Sequence, residues 1–239
     1  MIHCNAKLYC SVLRFYAEYI AVCKILFESR SLPTDDMMPI LDKLIDCAVP
    51  PENQRDVKAL VPNEKLHYIP PHHGQHILDT LWTLGQTVRD QQVIEVEYQR
   101  MKDPQLVKRR MQPVGIMFSE YYFYLTAFLE AKTDFDNPDD LFPTIYRIDR
   151  IRSVRVLNEH FRVPYARRFE EDEFRKRVQF MCGGRLERIR FRYTGLSLEA
   201  VLDRLPTAQV LSEDENVWLI SAEVFGNGID IWLRSQGNM

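Results

Sequence analysis

Apolar and polar positions change their period once along this chain, near residue 92. Before that point the spacing is helical. In the segment RFYAEYIAVCKILFESR, residues Phe15, Tyr19, Val22, Cys23 and Leu26 form one apolar stripe. Ile40, Leu41, Leu44, Ile45 and Ala48 line one face of a second helix, with Thr34 expected as its N-cap and Asp35 and Asp36 in its first turn. Pro39 predicts a late start or a distorted turn there. A short helix is predicted over Glu52 to Leu60, then a turn-rich polar connector, NEKLHYIPPHHG. The helix HILDTLWTLGQTVRD closes this region, with Ile77, Leu81, Leu84 and Val88 on one side.

From residue 92 the period is two. VIEVEYQ places Ile94, Val96 and Tyr98 on one face and Glu95 and Glu97 on the other. A strand near VKRRMQ ends at Pro113, and GIMF and YYFYLTAF read as a hairpin through Ser119 and Glu120. After the acidic loop AKTDFDNPDD come TIYRI and RSVRVL, both strands. Five or six short, tightly connected strands predict a small barrel. VPYARRFEEDEFRKRVQF reads as a charged linker helix. Strand ERIRFRY, helix LSLEAVLDRL, a hairpin turning at Glu213 to Asn216, and helix GIDIWLRSQG follow. That order is β-α-β-β-α, one strand short of a split β-α-β-β-α-β unit. Trp218 and Trp232 are expected in its core.

The chain has 239 residues and a net charge of −3, so no global charge draws it toward nucleic acid or membrane. Basic residues outnumber acidic ones between residues 98 and 168, and the reverse holds over residues 1–90. The five cysteines, Cys4, Cys10, Cys23, Cys47 and Cys182, are odd in number and widely spaced, which fits reduced thiols. No apolar run is long enough to span a bilayer, and no secretion signal opens the sequence. The expected location is cytoplasmic.

The candidate chemistry is anion binding. Arg147, Arg150, Arg152 and Arg155 alternate with aliphatic residues, a pattern that can present guanidinium forks from a rigid strand. The same pattern also describes a solvated face paired with acids, for which Asp149 and Glu97 are available. Arg147 and Arg150 lie three apart, so a bend near Asp149 is needed for both to meet one ligand. Lys108, Arg109 and Arg110 would extend the basic surface or guard an edge strand with charge. Arg188, Arg190 and Arg192 give a second basic face. His72 and His76 have helical metal spacing but lie in the connector with no third ligand, so no metal is expected. Cys182 has no His–Asp pattern near it, and GGRLER lacks the residues of a phosphate loop. Neither catalytic residues nor cofactors are predicted, and the chain reads as a non-enzyme.

Several motifs together resemble those of WYL-domain bacterial transcriptional regulators. Phe123, Tyr124 and Leu125 stand at the Trp-Tyr-Leu tripeptide, with Phe for Trp removing an indole donor. Tyr98 matches the tyrosine ending the first barrel strand, Pro113 the proline after a basic strand, and TIYRIDRI the Arg-x-x-Arg block through Arg147 and Arg150. ESRSL and LDKLI look like the helical bridge before the barrel, and the last unit like the extension after it.

The resemblance implies an α+β fold in three parts. These are a helical bridging region over 1–78, a WYL-type Sm/SH3-like barrel over 79–163, and a linker helix with a ferredoxin-like unit lacking its last strand over 164–239. It implies an effector pocket at Tyr98, Tyr124, Arg147 and Arg150, with Arg109, Arg110 and Arg152 as further basic surface. The expected ligand is a nucleotide or a nucleic-acid-like anion. The usual N-terminal winged helix-turn-helix is not seen, so DNA would be reached through a missing or partner domain. An open sheet edge in the last unit favours a homodimer. The alternative from another class is a stand-alone Sm-like module that binds single-stranded nucleic acid directly.

Overall fold

A computed structural model describes residues 17–101, 103, 105–129, 143–162 and 171–236. The first segment of the apolar stripe, including Phe15, and the acidic loop after the hairpin lie outside the described residues, as do Cys4 and Cys10. The chain divides into two compact units, one made of Met1–Asp79 with Glu120–Tyr122 and the other of Thr80–Ser119 with Phe123–Met239.

The first unit is helical. α1 spans residues 17–29, α2 Thr34–Ala48, α3 Pro51–Lys58 and α4 Pro62–Leu66. Its core takes every third or fourth residue of α1 and α2: Tyr19, Cys23 and Phe27, then Met37, Leu41 and Ile45. The predicted stripe is rotated by about one position, because Val22 is 46% exposed and Phe27 is buried in its place. Pro33, not Thr34, occupies the N-cap position of α2, and no side chain caps it. Pro39 sits inside the helix without ending it. The connector predicted as irregular contains α4, which starts with Pro62 in the first turn, where a missing N–H costs nothing. The Tyr68 hydroxyl donates to the Leu32 carbonyl at 2.7 Å, tying the end of the connector back to α1 and α2.

The second unit takes α5 (Leu78–Asp90) from Thr80 onward and carries two antiparallel sheets. The larger contains β1 (Gln92–Gln99), β2 (Leu106–Ser119), β3 (Tyr122–Leu129), β4 (Thr144–Arg147) and β5 (Ile151–His160) in the order β4-β3-β2-β1-β5. β4 and β5 are the outer strands and are not paired with each other; a 3-10 turn, Ile148–Arg150, joins them. Alternation explains β1, whose Ile94 and Val96 are fully buried while Glu95 and Glu97 reach the outer face. β3 is covered on both faces over Leu125, Thr126, Ala127 and Phe128. Burying each large aliphatic side chain of this kind contributes roughly 1.5–3 kcal/mol.

β2 differs from the prediction. It runs through Pro113 as one strand instead of stopping there. Its pairing with β1 ends at Met111 opposite Ile94, so the imino nitrogen of Pro113 removes no donor from that ladder.

The smaller sheet contains β6 (Leu186–Tyr193), β7 (Gln209–Asp214) and β8 (Val217–Phe225) in the order β6-β8-β7, with α6 (Glu171–Arg177), α7 (Leu198–Arg204) and α8 (Gly228–Ser235). One core gathers Tyr193, Val201, Leu205, Ile220, Val224 and Trp232, with Trp218 packed against it. Ser197 caps α7 by accepting from the Ala200 N–H at 3.2 Å. The β7–β8 hairpin turns at Glu215 and Asn216, both with positive φ, as a two-residue hairpin turn demands. At Gly228 a Cβ would lie 2.1 Å from the Gln179 carbonyl oxygen, so only glycine lets α8 begin against that backbone.

Candidate functional site: guanidinium groups around two phenols

The 3-10 turn is the bend that Arg147 and Arg150 require. It bends the chain between β4 and β5 and sets both arginines near Tyr98, at the end of β1 and opposite Ile151 of β5. The Tyr98 hydroxyl is hydrogen-bonded to the Arg147 backbone. Burial pushes its phenol above the ordinary value, the positive charges of Arg150 and Arg147 pull it back, and Asp149 opposes them. These charges act on the phenol because it is half-buried.

Arg147 is not a free cation. Its guanidinium grips Asp149 with two parallel hydrogen bonds, Nε to Oδ1 at 3.0 Å and Nη2 to Oδ2 at 2.8 Å. Asp149 is 5% exposed and Arg147 18%. The pair spends one positive charge inside the turn. Arg150 is different: among the described residues it has no carboxylate partner. Arg109 likewise has none there; it donates from Nη1 to the Lys108 carbonyl at 3.1 Å.

Arg109 acts on a second phenol. Tyr146 of β4 is buried, with a phenol raised by that burial and lowered in turn by Arg109. Its ring meets Tyr98 edge to face, with centroids 5.0 Å apart. Tyr146 was not among the residues picked from the sequence. TIYRI alternation marks it as an inward position, and its partner Tyr98 is far away along the chain. The assembled group is thus Tyr98, Tyr146, Arg109, Arg150 and the Arg147–Asp149 pair.

Tyr124 is brought alongside Arg147, its direct partner across β3 and β4. Its ring packs on an apolar cluster of Met117, Phe174, Val178 and Met181. Leu125, within the same tripeptide, is fully buried, and Phe123 packs on Phe118 at 5.1 Å between centroids.

Two residues of the expected further basic surface have side-chain partners. Arg110 pairs with Glu159, and Arg152 donates from Nε and Nη2 to the Gln99 side-chain oxygen. Around them Arg155 pairs with Glu95 at 2.8 Å, directly opposite it in the ladder, and Lys108 pairs with Glu97 at 3.6 Å. Cross-strand pairs of opposite charge fasten this outer face, so its basic residues largely neutralise their own acids.

The remaining candidates stand elsewhere. His76 donates from Nδ1 to Asp36 Oδ1 at 3.0 Å, inside the helical unit. Among the described residues no group of three His, Cys, Asp or Glu side chains is arranged to hold a metal. Burial pushes the Cys182 thiol up, away from the thiolate form. No described helix is long and apolar enough to cross a membrane.

This site lies in the part of the chain that a known family covers. Residues 79–156 match the model of the WYL domain. Tyr98, Tyr124, Arg147 and Arg150 all fall inside the matched region. Among solved structures it is similar to the proteasome accessory factor B/C (PafBC) of Arthrobacter aurescens, at 12% identity and a TM-score of 0.35. That alignment covers 63% of this chain and 22% of the PafBC chain. No curated protein matches the sequence.

Proposed function

We propose that this chain is the effector-sensing part of a WYL-type transcriptional regulator, binding a nucleotide or nucleic-acid-like anion. The observation that carries this is the placing of Arg109 and Arg150, neither with a carboxylate partner among the described residues, beside Tyr146 and Tyr98. Two cations whose charges reach two phenols suit a ligand that combines negative charge with a flat ring. Arg147 fixes the turn through Asp149 and presents its remaining donors, and Tyr124 supports the Arg147 side of the site.

In this reading the five-stranded ladder is a small Sm/SH3-like barrel, and the β6-β8-β7 sheet with α7 and α8 is a ferredoxin-like unit short of its last strand. The protein works in the cytoplasm, as a homodimer, and reaches DNA through a separate winged helix-turn-helix. Binding regulates by favouring one of two arrangements, which requires different affinities for the two.

The test is fluorescence anisotropy with a labelled, 5′-phosphorylated hexathymidylate and the variant Arg150→Ala. Loss of a charged hydrogen bond predicts roughly a tenfold or greater drop in affinity. Unchanged affinity defeats the proposal. A salt titration of the same complex separates a compact effector from an extended strand. A slope near two released counterions fits the sensor, and a much steeper one fits a direct single-strand binder.

A further inference from the structure

A basic cavity lies in the same unit, on the outer face of the small sheet. It has a volume of about 360 Å³ and is lined by Arg177 of α6, Arg188 and Arg190 of β6, Ser221 and Glu223 of β8, and Gln209 of β7, among others. Strand pairing builds it in two rows. Arg190, Ser221 and Gln209 stand in direct register across β6, β8 and β7, and Arg188 stands opposite Glu223 in the row beside them. The opposite face of the sheet is apolar and packs on α7 and α8, so alternation commits all the polar side chains to this side.

The charges in the cavity do not cancel. Glu223 is its acid, and both of its oxygens are taken: Oε1 accepts from Arg188 at 2.6 Å and Oε2 from Arg177 at 3.5 Å. Those arginines hold its carboxyl below the usual range, so it stays charged. Arg177 also pairs with Glu173 at 2.6 Å, outside the lining. Arg190 has no carboxylate partner among the described residues. The lining therefore carries three guanidinium groups against one carboxylate.

The neutral groups narrow the ligand. The Ser221 hydroxyl donates to the Ile189 carbonyl at 3.2 Å, which leaves its oxygen as an acceptor for a ligand hydroxyl. The Thr207 hydroxyl is tied to the β8 backbone, donating to the Glu223 carbonyl at 2.7 Å and accepting from the Glu223 N–H at 3.1 Å. No aromatic ring lines the cavity, so nothing there stacks a base. The volume is at the small end for ligand sites.

We propose that this cavity binds the phosphate of a small phosphorylated sugar. Arg190 is the principal phosphate fork, Gln209 and Ser221 contact sugar hydroxyls, and the Glu223 pairs hold Arg188 and Arg177 in place. The site is distinct from the one around Tyr98, and neither proposal depends on the other.

Isothermal titration of the full chain with ribose 5-phosphate tests it, with free ribose as the uncharged comparison. The proposal expects binding of ribose 5-phosphate and none of ribose. Arg190→Ala should weaken binding at least about tenfold, and Arg190→Lys should fall between, since it keeps charge without the fork. Arg192→Ala, on the same face but outside the lining, controls for general loss of charge and should bind like the wild type. Arg190 is exposed, so its variants should keep the wild-type circular dichroism and melting curve. No heat from the wild type at about 10 mM ligand, or equal affinity in Arg190→Ala, overturns the proposal. Binding that survives Arg190→Ala but disappears in Arg150→Ala places the phosphate at the Tyr98 site; it overturns the cavity alone.

Discussion

Replacing Asp149 by Asn should destabilise the second unit by about 3 kcal/mol. The substitution keeps the size and one oxygen acceptor but removes the charge that two guanidinium N–H groups grip at 3.0 and 2.8 Å. Breaking a buried ion pair by removing one partner costs about 3–5 kcal/mol, because the other charge is stranded. Arg147 keeps 18% exposure, so water recovers some of that. Charged hydrogen bonds lost without full burial cost about 1.5–3 kcal/mol, and the two ranges meet near 3. Urea unfolding followed by tryptophan fluorescence reads this cleanly, since Trp82, Trp218 and Trp232 all lie in the unit that holds Asp149. With a slope of roughly 2 kcal/mol per molar urea, the midpoint should fall by about 1.5 M. Arg147→Ala should cost at least as much, because it leaves a carboxylate buried alone. A midpoint displaced by less than about 0.3 M at unchanged slope would refute the claim that this pair braces the turn.

Other consequences can be measured alongside. Leu125→Ala removes a fully buried side chain from β3 and should cost about 2–5 kcal/mol in the same urea assay. Tyr98 and Tyr146 have raised phenol values, so the unfolded chain ionises first as pH rises. Their contribution is therefore complete below pH 10 and should be lost above it. Tyr98→Phe and Tyr146→Phe should each flatten the fall in urea midpoint between about pH 9.5 and 11. His76 is raised by its hydrogen bond to Asp36. A proton NMR titration should place its midpoint above 6.5, and Asp36→Asn should bring it down; an unshifted midpoint in the variant would show that the contact is not made in solution.

Local pattern made much of this fold legible. Alternation in VIEVEYQ assigns Ile94 and Val96 to the core, and both are fully buried. The β-α-β-β-α order of the last unit and a hairpin turn within Glu213 to Asn216 follow from short-range chemistry that residues carry wherever they are. Failures came where a distant partner decides. Pro113 looks like a strand end until the β1 ladder is known to stop at Met111. Val22 and Phe27 both fit an apolar helix face, and packing in the helical unit chooses Phe27. At the site, spacing could demand a bend between Arg147 and Arg150 but could not say which arginines would be spent. Asp149, two residues from Arg147, takes that charge, while Glu159 and Gln99 engage Arg110 and Arg152 across the sheet. Tyr146 escaped notice because an inward residue in a strand reads as core, and only its edge-to-face contact with Tyr98 makes it part of the site.

Photo-crosslinking locates the ligand most directly. A 5′-phosphorylated hexanucleotide carrying 5-iodouracil should be bound to the full chain, irradiated, and the adduct mapped by mass spectrometry. Anion sensing beside the two phenols predicts adducts on Tyr98 or Tyr146, lost when free nucleotide or unlabelled strand competes. Adducts confined to peptides outside residues 92–152, or insensitive to competitor, would contradict it.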